Sequence, residues 1–303
     1  MPSSADSRVT GQSAPCVGVV GAGTMGTGIA QLVASHGHAV LLYDNDPSAP
    51  PRALGAIEHS LQTLAAKGRL EQGAVHTTLE RIECVRELSA LATADLVIEA
   101  ALEDLEIKRR IFRDLSSIAS ATTLLATNTS SLPVSSIATA STHPERVIGM
   151  HFFNPAPVMD LVEIVRASAS SEETLMRAVT FCRGLGKTPV VCADTPGFIV
   201  NRVARHFYGE ALRLLADGSC TVAEIDRIVK VSGGFRMGPF ELMDLIGIDV
   251  NYAVTLSVYE QFSREPRFRP HPIQQRMVEA GTLGRKTGKG FYTYDAASRR
   301  DNP

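Results

Sequence analysis

His151 and Glu163 are the two residues whose types and setting point most directly to chemistry. They lie in RVIGMHFFNPAPVMDLVEIV (Arg146–Val165), which reads as a buried strand ending at His151, an irregular turn through Asn154-Pro155 and Pro157, and a second strand carrying Glu163. A histidine held by a carboxylate can take a proton from a hydroxyl group. Glu163 is set among Leu161, Val162, Ile164 and Val165, and a carboxylate in an apolar strand needs a partner. His151 can be that partner; a structural salt bridge or a capped strand end would serve as well.

A second constellation supplies a reaction for such a base. Gly21-Ala22-Gly23-Thr24-Met25-Gly26 fits GxGxxG, preceded by the apolar run CVGVV and followed by a helical pattern through about Ser35. The next strand, HAVLLYD, ends in Asp44, at the distance expected of an acid that binds the adenosine ribose. In this motif Gly21 makes the tight turn, Gly23 admits the pyrophosphate and Gly26 lets the helix pack on the sheet, with the helix N-terminus facing the phosphates. A carboxylate at Asp44 would repel a 2′-phosphate, and the nearest arginine is Arg52, so NAD is expected over NADP. Hydride transfer between an alcohol and NAD needs little besides geometry and a base for the hydroxyl proton.

Two further groups are polar where ligands bind. NTSSL (Asn128–Leu132) follows the TTLLATN strand, at the carboxyl end where α/β sheets hold ligands, although a Ser-rich turn has the same composition. Asn201 is the first polar residue of FIVNR and reads either as a site amide or as a helix-interior amide facing solvent or a neighbouring helix.

The elements that must position these groups alternate. Strands are expected at Cys16–Val20, His38–Asp44, Ala94–Ala100, TTLLATN and VIGMHFF, with helices after the Gly-rich turn, over Pro51–Lys67 (apolar Leu54, Ile57, Leu61 and Leu64) and over DLEIKRRIFRDLSSIA. Near-continuous apolar strands between helices predict a Rossmann-like, doubly wound, mostly parallel α/β sheet. After Thr195-Pro196-Gly197 the pattern turns helical, beginning with FIVNRVARHFYGEALRLLADG and leaving only the short GFYTYD as strand-like. The expected organisation is a disordered leader (1–14), an NAD-binding domain (15–194), an all-helical C-terminal domain for dimerisation and substrate (195–295) and a tail (296–303).

Composition excludes several other classes. A net charge of −2 gives no general attraction to nucleic acid or anionic membranes, and the absence of tryptophan argues against base-stacking platforms. The five cysteines are odd in number and never spaced CxxC, which disfavours a disulfide framework or a zinc site; no metal is expected. With no signal-peptide core and no long apolar stretch, a cytoplasmic protein is expected.

Taken together, GAGTMGTGIAQ, DLVIEAALEDLEIKRRIF, TNTSSL, GMHFFNPAPVMDLVEIV, GKTPVVCADTPGFIVNR, MGPFELMDLIGID and GRKTGKGFY resemble the L-3-hydroxyacyl-CoA dehydrogenase family, and the short-chain 3-hydroxybutyryl-CoA branch within it. The resemblance runs from about residue 15 to residue 295. It implies that His151 is the catalytic base and Glu163 the carboxylate that orients it, while Ser130 and Asn201 hold the substrate's 3-oxygen. It also implies cofactor contacts at Glu103, Lys108, Ser130, Asn154 and Lys286, coenzyme A contacts at Ser60 and Lys67, an acyl-CoA substrate and a homodimer. Ser60 and Lys67 read equally as plain helix surface, and Lys108 opens a basic run (Lys108, Arg109, Arg110, Arg113) that reads as solvated.

The chain departs from the family pattern in three places. PSAPP (Pro47–Pro51) replaces a smoother helix start. Asp160 stands where lysine is common, three residues before Glu163 and so on the opposite face of a strand. EPRFRPHPIQQRMVEAG resembles the branch that handles 3-hydroxyadipyl-CoA in phenylacetate breakdown, where Arg267 or Arg269 would meet a distal carboxylate. Competing readings are a β-hydroxyacid dehydrogenase, which relies on a catalytic lysine, and a non-catalytic NAD-binding protein.

Overall fold

The computed structural model describes residues 14–295; the expected leader, save Ala14, and the expected tail lie outside them. Eight strands form one sheet: β1 (Val17–Val20), β2 (Val40–Tyr43), β3 (Ile82–Cys84), β4 (Leu96–Glu99), β5 (Leu124–Thr127), β6 (Val147–Phe152), β7 (Leu161–Arg166) and β8 (Thr188–Ala193). Their order is β3-β2-β1-β4-β5-β6-β7-β8, and every neighbouring pair from β3 to β6 is parallel. Phe153–Asp160 is too short for a crossover, so β7 returns antiparallel to β6. That return carries Glu163 back beside the strand that holds His151.

The helices are α1 (Thr24–Ser35), α2 (Ala49–Ala66), α3 (Gln72–Leu79), α4 (Leu105–Ile118), α5 (Val134–Ala138), α6 (Glu172–Gly184), α7 (Val200–Ala216), α8 (Val222–Gly233), α9 (Pro239–Ile246), α10 (Ile248–Gln261) and α11 (Pro272–Glu279). The chain divides into two compact units. One holds the residues up to Asn128, Ile137–Ile164 and Ala169–Val190; the other holds Thr129–Ser136, Val165–Ser168 and the residues from Val191 onward.

In the first unit, β1, β4, β5 and β6 are buried along their whole length. Helices on both faces explain why these strands read as unbroken apolar runs. Val19, Ile29, Val33, Leu42, Ile57, Leu61, Ile98, Met150, Val162 and Ile164 belong to one core cluster. The N-terminus of α4 is capped by Asp104, which accepts from the Ile107 N–H at 2.9 Å, and that of α6 by Ser171.

Several expectations need adjusting. α2 starts at Ala49 and takes Pro50 and Pro51 into its first turn, where backbone N–H groups lack helical partners in any case, so PSAPP does not disturb the path. α3, β3, α6 and β8 go beyond the elements read from the pattern: β3 has only three residues, and β8 contains Pro189 and lies mostly exposed at the sheet edge. GFYTYD forms an isolated bridge through Thr293 rather than a strand.

In the second unit, Tyr208, Leu212, Ile225, Phe240, Met243 and Ile248 pack together. Two buried aspartates tie separate segments of this unit together. Asp226 accepts from the Phe240 and Glu241 N–H groups at the start of α9, and Asp244 from those of Phe291 and Tyr292, all at 2.9 Å. The Tyr292 and Tyr294 hydroxyls donate to Asp226 and Asp244. Among the described residues, no single helix is long and apolar enough to cross a membrane.

Candidate active site

The Gly-rich turn joins β1 to α1. Gly21 has φ +102°, and a Cβ there would stand 2.6 Å from the Ala100 carbonyl oxygen; at Gly26 it would stand 1.7 Å from the Gly21 oxygen. Neither position admits a side chain. A Cβ at Gly23 would meet no atom within 4 Å, so the turn backbone there is open to close approach. Gly23 also stands at the N-terminal end of α1 without a side-chain cap, leaving the first-turn N–H groups for an anion. Ala22, Thr24 and Met25 complete the turn.

Asp44 is built into the same turn. Its Oδ2 accepts from the Ala22 N–H at 2.7 Å and its Oδ1 from the Asp46 N–H at 2.9 Å. Each carboxylate oxygen has a further lone pair, so a ribose hydroxyl can still donate to it. Arg52 is turned elsewhere, onto Ser48 Oγ and onto Asp46 Oδ2 at 3.0 Å. The Ser48 hydroxyl and N–H, followed by Arg52, lower the Asp46 carboxyl to about 2. Arg52, the nearest arginine after Asp44 in sequence, is thus already paired, and the turn fits NAD.

At the end of β4 the structure shows what the sequence reading missed. Glu99 is fully buried, with Oε1 2.6 Å from Lys108 Nζ and 2.7 Å from the Ala101 N–H, while Oε2 accepts from Thr127 Oγ1 at 2.6 Å. Lys108 is 1 % exposed and also lies 3.3 Å from Glu103 Oε2. The solvated reading of the basic run is therefore wrong for Lys108, although Arg110 is exposed. The signal was present: Glu99 interrupts an apolar strand just as Glu163 does.

His151 and Glu163 meet. His151 Nδ1 lies 2.7 Å from Glu163 Oε2, with both side chains buried and the Phe153 ring 4.4 Å from the imidazole, centroid to centroid. The Asn128 amide oxygen accepts from the Phe152 N–H at 2.9 Å and ties the end of β5 to the end of β6. The turn after β6 is held from two sides. Gly28 of α1 packs on Ala156 and Pro157, and buried Lys187 donates to the carbonyls of Pro157 (3.3 Å) and Met159 (2.9 Å). Burial lowers the Lys187 ammonium below its usual range, opposed by the charge of Asp160. Asp160 itself is exposed and precedes β7, so the strand-face argument does not apply to it. Asn154 is exposed on the same turn.

In the second unit, Asn201 Nδ2 donates to the Ser130 carbonyl at 3.2 Å. The two residues expected at the substrate's 3-oxygen are thus joined to each other, as His151 and Glu163 are in the first unit. Arg205, also missed by the sequence reading, lies one turn after Asn201; burial holds its guanidinium down to about 10. Lys286 is paired with Asp249 at 2.6 Å. On α2, Ser60 accepts from Gln31 Nε2 at 3.2 Å, and exposed Lys67 follows two turns later at the helix C-cap, on the same face.

A cavity of about 490 Å³ in the first unit is lined by Pro15, Asp95, Leu96, Leu124 and Arg177. Leu96 and Leu124 begin their strands, so this cavity lies at the opposite end of the sheet from Glu99, Thr127 and the Gly-rich turn.

Residues 16–195 match the profile of the 3-hydroxyacyl-CoA dehydrogenase NAD binding domain, and residues 197–294 that of the 3-hydroxyacyl-CoA dehydrogenase C-terminal domain. The chain is 49 % identical over 280 residues to a 3-hydroxyadipyl-CoA dehydrogenase of Escherichia coli K12, covering 92 % of itself but only 59 % of that longer protein. It is 39 % identical to a 3-hydroxybutyryl-CoA dehydrogenase of Clostridioides difficile, over 91 % of this chain and 98 % of that one. The crystal structure of an (S)-3-hydroxybutyryl-CoA dehydrogenase from Ralstonia eutropha superposes with a TM-score of 0.90 at 38 % identity, covering 93 % of this chain and all of the other. With both parts matched, this chain belongs to the 3-hydroxyacyl-CoA dehydrogenase family of NAD-dependent oxidoreductases.

Proposed function

We propose that the protein interconverts (S)-3-hydroxyacyl-CoA and 3-oxoacyl-CoA of short chain length, 3-hydroxybutyryl-CoA and acetoacetyl-CoA being the reference pair. The observation that carries this reading is the buried His151–Glu163 pair at 2.7 Å, in the same unit as a dinucleotide turn. A carboxylate only accepts hydrogen bonds, so Glu163 selects the tautomer with the proton on Nδ1 and leaves Nε2 as the basic nitrogen. In oxidation, Nε2 takes the 3-hydroxyl proton, and Glu163 stabilises the imidazolium that results. NAD, when bound, supplies the acceptor for the hydride leaving C3. Ser130 and Asn201 are the groups assigned to the 3-oxygen. The turn from Gly21 to Gly26, Asp44, Glu103, Asn154 and Lys286 are assigned to the dinucleotide, with buried Lys108 acting through Glu103, and Ser60 and Lys67 to coenzyme A. The functional division falls near residue 195, with the NAD-binding part before it and the helical part after it.

A second substrate, 3-hydroxyadipyl-CoA, is favoured by the 49 % identity to a relative of that name. Arg267 and Arg269, the candidates for its distal carboxylate, are both exposed, and Arg267 stacks on Phe268 at 4.7 Å. That placement supports a surface role and keeps the short chain first. A homodimer is supported by apolar side chains of the second unit that a single chain leaves open, among them Val203, Ile228, Val231 and Phe235. Cytoplasmic residence fits an odd set of five cysteines.

The deciding experiment compares kcat/KM for acetoacetyl-CoA, longer 3-oxoacyl-CoAs and 3-oxoadipyl-CoA, each with NADH and NADPH. Preference for acetoacetyl-CoA with NADH supports the reading, preference for 3-oxoadipyl-CoA moves it to the second substrate, and inactivity on all of them refutes it.

A further inference from the structure

Arg205 is 6 % exposed, and none of its partners among the described residues is an anion. Nε donates to the Asn201 carbonyl at 3.0 Å, and Nη1 to the Asn251 carbonyl at 2.9 Å and Thr255 Oγ1 at 2.7 Å. Nη2 faces the side-chain oxygen of Asn201 at 3.5 Å, and the guanidinium lies 5.1 Å from the Tyr208 ring centroid. Burying a cation without a counter-charge is costly. Anchoring α7 to α10 accounts for Nη1 but does not require a full charge, since a neutral donor would bond a carbonyl as well.

The contact with Asn201 does use that charge. Guanidinium only donates, so the atom facing it must be Oδ1; the Ser130 carbonyl only accepts, so the atom facing it must be Nδ2. Both neighbours specify the same amide orientation. A positive charge on the oxygen side of an amide polarises it and strengthens its N–H groups as donors. Ser130 takes one of the two amide hydrogens, and an amide has a second to give.

We propose that Arg205 is a positioning residue for the substrate's 3-oxygen: it fixes the Asn201 amide and, through it, supplies positive potential to the negative charge that develops on that oxygen. The inference rests on the acyl-CoA reading of Asn201 given above. It assigns to the second unit an electrostatic part in catalysis beyond holding substrate.

The test uses acetoacetyl-CoA, whose enolate, formed by loss of a C2 proton to solvent, carries negative charge on the 3-oxygen and absorbs in the near ultraviolet. The wild-type protein without cofactor should raise the enolate fraction of bound acetoacetyl-CoA above that of free acetoacetyl-CoA at the same pH. Arg205→Met should remove this excess and lower kcat about tenfold, with KM for NADH within about twofold. Arg205→Lys, which retains the charge, should keep most of the enolate excess. Thr255→Val, which removes an anchor but not the charge, should lower Tm and leave the enolate fraction unchanged. An unshifted wild-type spectrum, an Arg205→Met protein equal to wild type, or a Thr255→Val loss matching that of Arg205→Met would each overturn the proposal. If Arg205→Met does not fold, the wild-type, lysine and valine spectra decide the question alone. Absence of turnover of any 3-oxoacyl-CoA by the wild type would instead overturn the reading on which the proposal rests, and the proposal with it.

Discussion

Lys108 Nζ lies 2.6 Å from Glu99 Oε1, and both side chains are sealed from solvent at the carboxyl end of β4. Removing one member strands the other's charge. Lys108→Met should cost about 3–5 kcal/mol in denaturant unfolding, because Glu99 keeps only the Ala101 N–H and the Thr127 hydroxyl. The double variant Glu99→Gln/Lys108→Met should recover most of that loss. Equal stability of the single variant and wild type would show that the pair is not the anchor described.

His151→Gln should reduce acetoacetyl-CoA turnover by about 10²–10⁴-fold while NADH still binds, read by fluorescence titration. Glu163→Gln keeps the volume but allows the amide to donate to Nδ1, which selects the wrong tautomer. It should fall in the same range with Tm little changed. Full activity in either variant contradicts the assignment of the base.

Asp44 acts twice, as the expected ribose acceptor and as the acceptor that holds the Ala22 N–H. Asp44→Ala should therefore raise KM for NADH at least about tenfold, the equivalent of one charge-assisted hydrogen bond, and leave KM for acetoacetyl-CoA nearly unchanged. Asp44→Asn keeps an oxygen for Ala22 and should lose less. Equal losses in KM for the two substrates would count against the ribose assignment.

Cys182 is buried on α6 within the core cluster, and burial pushes its thiol up to about 12, opposed by the charge of Lys187. At pH 8 about one molecule in 10⁴ carries the thiolate, the form that alkylating agents attack. Iodoacetamide followed by mass spectrometry should leave Cys182 unmodified in the native protein and label it in denaturant. The folded protein binds this proton more tightly than the unfolded chain, whose thiol titrates near 9. Cys182 therefore contributes a loss of stability as pH rises from about 9 to about 12.

Much of the site was legible because its residues violate their surroundings. GxGxxG, the acid ending β2 and the glutamate inside β7 each break an apolar pattern, and the pattern specifies their places. Glu99 broke it too, yet its partner was hidden: Lys108 sits in a basic run in which Arg110 and Arg113 are exposed and Arg109 is half-buried, and only the path of α4 turns Lys108 fully inward. Arg205 was hidden for a similar reason, since an amphipathic helix with several arginines gives no sign of which one is buried. β8 escaped notice because an edge strand with a proline and an exposed face lacks the apolar run that marked β1, β4, β5 and β6. PSAPP reads as a disruption because a helix interior does not accept prolines, whereas the first turn, where Pro50 and Pro51 fall, does.

A Cβ added at Gly28 would stand 3.4 Å from the Ala156 Cβ and 3.5 Å from Pro157 Cδ. Helix α1, whose first turn is the candidate pyrophosphate site, thus faces the turn just beyond His151 with room for little more than a methyl group between them. A ligand that settles α1 also settles that turn, and a ligand that orders the turn returns the favour to α1. Dinucleotide and acyl-CoA affinities should therefore be linked by one reciprocal factor, and a bulkier residue at position 28 should uncouple them before it abolishes either.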